Sequence, residues 1–207
     1  MMADVSRETL EQCRELEAEV RRWQKTTNLI APSTLPERWE RHILDSLQLA
    51  SLVPANSRIV DVGSGGGFPA LPLAIWQSQE GGGSVDAVES NRKKTSFLRQ
   101  TARKLGFSDF LTVHSSRIEG VAPQDCPADI FTARALAALG QLFVFVQPWA
   151  AENSQLRCLF HKGREYRAEV ETCRGDWEFD LGEWPSKTSE DARILEITHL
   201  QRKTPSR

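Results

Sequence analysis

Residues 59–69 read Ile59-Val60-Asp61-Val62-Gly63-Ser64-Gly65-Gly66-Gly67-Phe68-Pro69, and the fold can be argued outward from them. A short apolar run, typical of a buried strand, leads into four glycines within five positions, and a helical pattern follows at once. Glycine permits positive φ and lets a ligand approach the backbone closely. Open α/β sheets bind ligands at the carboxyl ends of their strands, so the stretch predicts a ligand-binding loop rather than only a tight turn.

The kind of ligand follows from what surrounds the glycines. A dinucleotide fingerprint needs its third glycine where Phe68 stands, and the G-K-[ST] triplet of a phosphate-binding P-loop is absent. Asp61, two residues before Gly63, suits an ammonium group better than a pyrophosphate. Glu89 ends the next apolar run, where a carboxylate can accept both hydroxyl protons of a ribose or cap the following helix. Together these features fit S-adenosylmethionine.

Beyond the loop, apolar runs alternate with helical patterns, which predicts a mostly parallel α/β sheet with helices on both faces. The predicted strands are Ile59–Val62, Ser84–Val88, Phe110–Val113, Asp129–Thr132 and Leu156–Phe160, and the predicted helices are Pro69–Gln77, Asn91–Leu105 and Leu139–Ala150. Two further strand-like runs, Trp177–Leu181 and Arg193–Leu200, lack a clear helix between them and are expected to form an antiparallel pair at the sheet edge.

The residues before the sheet have a different pattern. Apolar side chains at three- and four-residue steps from Leu10 to Trp23 predict one helix, and a second is predicted from Pro36 to about Leu52. We therefore expect a helical N-terminal extension over 1–57, an α/β domain over 58–203 and a short tail over 204–207.

Composition limits the possible classes of protein. The chain has 207 residues, 40% hydrophobic and 26% charged, which is typical of a globular protein and argues against disorder. The four cysteines are scattered, so we expect reduced thiols and neither a disulfide framework nor a metal site. The uncharged run Ala135–Ala151 is interrupted by polar residues and is predicted to be a buried helix rather than a membrane span. We expect a cytoplasmic protein without membrane contact.

Six segments together resemble one known family. Val60–Pro69 looks like motif I of class I methyltransferases in the form used by the bacterial small-subunit rRNA methyltransferase G family, also called glucose-inhibited division protein B. Five other segments agree in order and spacing: Asn28-Leu29, Arg41-His42-Ile43-Leu44-Asp45-Ser46, Ser116-Arg117-Ile118-Glu119, Ala133-Arg134-Ala135 and Lys162-Gly163. The resemblance implies a Rossmann-like class I fold and methyl transfer from S-adenosylmethionine to a guanine N7 in the decoding region of 16S rRNA. The expected partner is 16S rRNA or a small-subunit particle, bound by a monomer.

Site residues are predicted from both lines of argument. The resemblance implies cofactor contacts at Gly63, Phe68, Ile118, Glu119 and Arg134, and the glycine loop and second strand add Asp61, Gly65, Gly67 and Glu89. Candidate RNA contacts are Asn28, Arg41, His42 and Lys162. Arg134 could face the methionine carboxylate, an RNA phosphate or a surface ion-pair partner, while His42 and Asp45 could brace the pocket or cap a helix end.

The expected chemistry needs few catalytic groups. Guanine N7 has a free lone pair, so no general base is required. The Asn/Asp-Pro-Pro-aromatic motif of exocyclic-amine methyltransferases is absent at Thr132–Ala135, and Cys126 lacks the partner base expected of a nucleophile. The net charge of −2 means that any RNA contact must come from a local basic patch. The alternatives are a methyltransferase for a small molecule or protein, and a non-catalytic RNA-binding protein with the same fold; Phe68 disfavours a nicotinamide dehydrogenase.

Overall fold

A single seven-stranded sheet organises the computed structural model, which describes residues 5–204. Residues 1–4 of the predicted extension and 205–207 of the predicted tail lie outside that range. The strands are β1 (Arg58–Val62), β2 (Ser84–Val88), β3 (Leu111–His114), β4 (Ile130–Arg134), β5 (Arg157–Lys162), β6 (Trp177–Pro185) and β7 (Arg193–Arg202).

Six α-helices accompany these strands in the described residues: α1 (Arg7–Trp23), α2 (Asp45–Leu47), α3 (Ala70–Trp76), α4 (Arg92–Leu105), α5 (Leu139–Glu152) and α6 (Tyr166–Asp176). The strand order is β3-β2-β1-β4-β5-β7-β6. Strands β1 to β5 pair in parallel, and β7 and β6 are antiparallel, so the predicted mixed sheet is confirmed. Because β2 and β4 lie on opposite sides of β1, the glycine loop that follows β1 sits at the point where strand order reverses.

Several predicted element boundaries were wrong. The helix predicted from Pro36 instead comprises a π-helical segment Trp39–Leu44, the short α2 and a 3-10 segment Gln48–Leu52. Helix α6 was not predicted, because only Tyr166, Val170 and Cys173 mark its buried face. Strand β4 extends two residues beyond the prediction, so Arg134 is its last residue rather than a loop residue.

The extension and the sheet share one hydrophobic core. Helix α1 begins at the cap Ser6, whose Oγ accepts the Thr9 amide hydrogen, and buries Cys13, Leu16 and Val20. These side chains belong to the same apolar cluster as Ile59 of β1 and residues of α3 and α4. The boundary after residue 57 stays a prediction, but helix α1 covers apolar surface that would otherwise face water.

A second cluster lies on the other face of the sheet, under α5 and α6. All four cysteines are buried and unpaired. Within residues 5–204 no helix is long and apolar enough to span a bilayer.

Candidate active site

One large cavity, of about 880 Å³, opens where the parallel strands end. Its walls are the loops after β1, β2, β3, β4 and β5, the segment that precedes the sheet, and the loop between β6 and β7. The sequence placed the ligand loop at this edge, and the structure brings most of the predicted site residues to the same cavity. The predicted residues that line it are Arg41, His42, Gly63, Gly65, Phe68, Glu89, Ile118, Glu119, Arg134 and Lys162.

The glycine loop is built for close approach of a ligand. Gly63 and Gly65 have φ values of 67° and 54°, in the region that favours glycine. The Gly63 and Ser64 amides both donate to the Val88 carbonyl, which holds the turn against β2. A Cβ atom on Gly65 would meet no atom nearer than 3.6 Å, so it would project into the cavity and occupy ligand space.

Glu89 joins the glycine loop to the next helix. Its Oε2 accepts the Gly65 amide hydrogen at 2.8 Å, and its Oε1 accepts that of Asn91 at 2.7 Å, just before α4. Asn91, not Glu89, is the cap of α4, since its Oδ1 accepts the Lys93 and Lys94 amide hydrogens, and the half-buried Glu89 carboxylate lines the cavity. Each oxygen has a second lone pair, so the carboxylate can still accept hydroxyl hydrogens from a ligand.

Asp61 and Gly67 do not line the cavity, contrary to the sequence-based expectation. Asp61 is fully buried, and its Oδ1 accepts the Thr132 hydroxyl at 2.9 Å across the paired strands β1 and β4. Burial raises the pKa of Asp61 to about 7, although the Ser64 and Thr132 hydroxyls lower it. Gly67 faces α3, where a Cβ would lie 2.5 Å from Leu71 Cδ1. Both residues contact the interior of the protein, at β4 and α3, and do not line the cavity.

Arg134 connects the sheet to the segment that precedes it. Its Nη1 donates to the Arg41 carbonyl at 2.7 Å and to Asp45 Oδ2 at 2.9 Å, and its Nη2 contacts His42 Nδ1. Both members of the Arg134–Asp45 pair are about 15% exposed, so this is a buried ion pair rather than a surface one. Arg134 also lines the cavity, and its guanidinium has five N–H donors in all.

His42 braces the pocket wall. Its Nε2 lies 2.8 Å from Thr34 Oγ1, and its ring packs against Phe68 with centroids 5.1 Å apart. Burial, and then the positive charge of Arg134, lower the pKa of His42 to about 4, so the ring is neutral at pH 7. With both nitrogens engaged, this side chain orders its neighbours, which is one of the two roles considered from the sequence.

Asp45 links two further parts of the cavity wall. Its Oδ1 accepts the Thr188 hydroxyl at 2.6 Å, and its backbone carbonyl accepts His161 Nε2 at 2.8 Å. Burial raises the pKa of Asp45, but His161, Thr188 and Arg134 outweigh it, and the net direction is downward. The sequence had not indicated His161 or Thr188, because their role depends on contacts between distant segments.

The remaining predicted residues divide into two groups. Ile118 is buried in the cavity wall and Glu119 is exposed beside it. Asn28 is exposed outside the cavity, and it is the following Leu29 that lines the wall. Lys162 lines the cavity but is held internally, since its Nζ pairs with Glu169 Oε2 at 2.6 Å and donates to the Ala137 carbonyl at 3.1 Å. An RNA contact by Lys162 would compete with both.

Basic side chains surround the mouth of the cavity. Arg41 and Arg117 are exposed and Lys94 is half-buried, and all three line the cavity. Other cations are engaged within the protein: Arg41 lies 3.8 Å from Glu37, and on α4 Arg99 donates to the Val113 carbonyl and Lys104 pairs with Glu19. The positive charge near the cavity is therefore more local than the basic pattern of α4 suggested.

These residues fit S-adenosylmethionine. Gly65 leaves open space beside the backbone, Glu89 offers acceptors for ribose hydroxyls, Ile118 offers an apolar surface for a base, and Arg134 offers donors for a carboxylate.

Away from the cavity the structure brings Asp86, His114 and Cys126 together, with His114 Nε2 2.7 Å from Asp86 Oδ1. This contact could not be predicted from local sequence, since the three residues come from separate segments.

Comparison with known proteins agrees with this geometry. The family model described as rRNA small subunit methyltransferase G matches residues 9–193. Ribosomal RNA small subunit methyltransferase G of Brucella ovis is 44% identical over 200 residues, 97% of this chain and 92% of that protein. The protein of the same name from a Chelativorans species is 46% identical over 198 residues, 96% and 92% of the two chains.

Solved structures show the same fold at low identity. A TehB-like SAM-dependent methyltransferase from Corynebacterium glutamicum superposes with a TM-score of 0.54 at 12% identity, covering 90% of this chain and 99% of that one. P. horikoshii TYW2 in complex with MeSAdo gives a TM-score of 0.56 at 13% identity, covering 86% and 65%.

Proposed function

The chain belongs to the rRNA small subunit methyltransferase G family, and from that membership we propose that it transfers a methyl group from S-adenosylmethionine to the N7 of a guanine in the decoding region of 16S rRNA. The observation that carries the proposal is the large cavity at the switch point of the sheet, where the open glycine loop, the Glu89 carboxylate and the Arg134–Asp45 ion pair meet. Family membership and fold support an S-adenosylmethionine-dependent rRNA methyltransferase, and the choice of N7 is the finer part of the proposal.

The cofactor, when bound, supplies a methyl group on a positively charged sulfur, and the new C–N bond forms as the S–C bond breaks. Glu89 would hold the ribose and the backbone at Gly65 would lie against the nucleoside. Because N7 carries no proton, the chain needs no base, and His42 is suited to holding Arg134 rather than to proton transfer. Alignment of the reacting atoms can alone supply about 7–11 kcal/mol.

The RNA would enter on the side of the cavity formed by the extension and the β6–β7 loop. Arg41 offers a charge for phosphate groups on that side, and Lys94 and Arg117 offer charges on the side of the loops after β2 and β3. The net charge of −2 limits non-specific attraction, so we expect recognition of a structured or protein-bound target rather than tight binding of naked RNA. We also expect the protein to act as a monomer, which sedimentation at working concentration would test.

The deciding experiment incubates the protein with methyl-labelled S-adenosylmethionine and either free 16S rRNA or purified small subunits from cells that lack the enzyme. We expect label in 16S rRNA, with chain cleavage at one N7-methylguanine in the decoding region, and none with the Gly65→Val variant. Label in ribosomal proteins or at another atom of the RNA would refute the N7 proposal. Binding of small subunits and cofactor without turnover would favour the non-catalytic alternative.

A further inference from the structure

Leu136 is an apolar side chain placed where the cavity is open. It is 40% exposed, and the other large apolar side chains exposed to this extent in the described chain are Val144 and Trp184. Of the three, Leu136 is the one that lines the cavity. It lies directly against Gly63, since a Cβ on that glycine would be 2.5 Å from Leu136 Cδ1. Exposure of a large apolar group in a cavity indicates that a ligand covers it.

The loop that carries Leu136 is held in an unusual conformation. The preceding Ala135 has a φ of 51°, in the left-handed region that residues with a Cβ rarely adopt. Arg134 anchors one side of the loop to the extension. On the other side Lys162 Nζ binds the Ala137 carbonyl, and the Leu139 amide donates to Glu169 Oε2 at 2.6 Å. Backbone strain of this kind persists where the surroundings fix it, and it is concentrated at ligand sites.

The position of the loop separates two parts of the cavity. Apart from Arg134 at the end of β4, the residues suited to the cofactor come from the loops after β1, β2 and β3, among them Gly65, Glu89 and Ile118. Leu136 follows β4, on the other side of β1. Beyond it the wall continues with Gly163 after β5 and Ser189 in the β6–β7 loop. We assign no group of the cofactor to either residue. Leu136 thus stands at the border between the cofactor side and the remaining space.

We propose that Leu136 is the surface against which the target guanine packs when it enters the cavity, so that this residue positions the base beside the methyl donor. The inference rests on the proposed function. A base taken out of its stack loses contacts on both faces, and an apolar side chain held in place restores contact on one of them. The fixed backbone on both sides of Leu136 would keep that face at a constant distance from Gly63.

The test compares Leu136→Ala and Leu136→Met with Val144→Ala, a matched loss of exposed apolar surface outside the cavity. Cofactor affinity is measured by titration calorimetry, and methyl transfer by varying the concentration of small subunits at saturating cofactor. We expect Leu136→Ala to lower kcat/KM for small subunits by roughly tenfold or more, with cofactor Kd changed less than twofold. Leu136→Met, which keeps the apolar contact, should recover most of the activity, and Val144→Ala should resemble the parent.

Other outcomes would refute specific parts of the inference. A tenfold rise in cofactor Kd with Leu136→Ala would assign the side chain to the cofactor instead. Parental kinetics in Leu136→Ala would show that the base packs elsewhere, while the proposed function would still stand. Absence of methyl transfer by the parent protein would refute the proposed function itself, and the inference with it.

Discussion

Replacement of Glu89 by glutamine tests the cofactor site directly. In the structure each carboxylate oxygen accepts one backbone amide, from Gly65 and Asn91, and has one lone pair left for a ligand. Glutamine keeps one acceptor oxygen but puts an NH₂ group in place of the other, so one backbone amide and one ribose hydroxyl lose their acceptor. A hydrogen bond to a charged group contributes about 1.5–3 kcal/mol, so the cofactor Kd should rise by roughly 10- to 150-fold.

Titration calorimetry with S-adenosylmethionine or its demethylated product measures this change. Glu178→Gln, an exposed carboxylate on β6 outside the cavity, serves as the control and should leave Kd unchanged. Thermal unfolding of both variants separates loss of affinity from loss of the loop. A Kd for Glu89→Gln within twofold of the parent, in a folded protein, would refute the assignment of the ribose to Glu89.

Three further predictions concern the buried Asp61, the glycine loop and the Arg134–Asp45 ion pair. Because burial raises the pKa of Asp61 from 3.8 to about 7, the folded state keeps this proton longer than the unfolded chain, and its contribution to the free energy of unfolding should fall by up to about 4 kcal/mol between about pH 4 and pH 7. Asp61→Asn should remove that fall; it is measured as a difference from the parent, since His42 titrates in the same range with the opposite sign. If the difference in free energy of unfolding between the parent and Asp61→Asn stays constant from about pH 4 to about pH 7, the raised pKa of Asp61 is refuted. Gly65→Val should abolish cofactor binding in calorimetry while unfolding stays cooperative, because the side chain fills the cavity at a positive φ; retained affinity would refute the loop assignment. Asp45→Ala should cost about 3–5 kcal/mol in denaturant unfolding, since it leaves Arg134 buried without its carboxylate, whereas Asp191→Ala, from an exposed pair, should cost less than about 1 kcal/mol; equal losses would argue against burial of the Arg134 pair.

Local patterns in the sequence were sufficient for the fold. Alternating apolar runs gave the parallel strands, and the glycines after β1 located the cavity, because both signals depend on residues close together in the chain. The π-helical segment Trp39–Leu44 and helix α6 escaped prediction for the opposite reason. Their local patterns are weak, and contacts with the rest of the protein stabilise them.

The directions of side chains at the site could not be predicted. Asp61 has the spacing of a ligand contact, yet the pairing of β1 with β4 turns it toward Thr132 and away from the cavity. Arg134 lines the cavity, but its main partners come from the extension, 89 residues or more earlier in the chain, and could not be predicted. Leu136 carries no motif, and its exposure is visible only once the backbone at Ala135 is known.

Helix α1 limits how this protein can be re-engineered. Cys13, Leu16 and Val20 belong to the same apolar cluster as Ile59, Leu71 and Phe97. A chain trimmed to begin at Arg58 would therefore expose this apolar surface to solvent and aggregate. A fusion of the sheet domain to a different RNA-binding domain would therefore have to include α1. The residues of the extension that line the cavity follow α1 in the chain, from Leu29 to Asp45, so α1 itself covers the hydrophobic core and does not line the cavity.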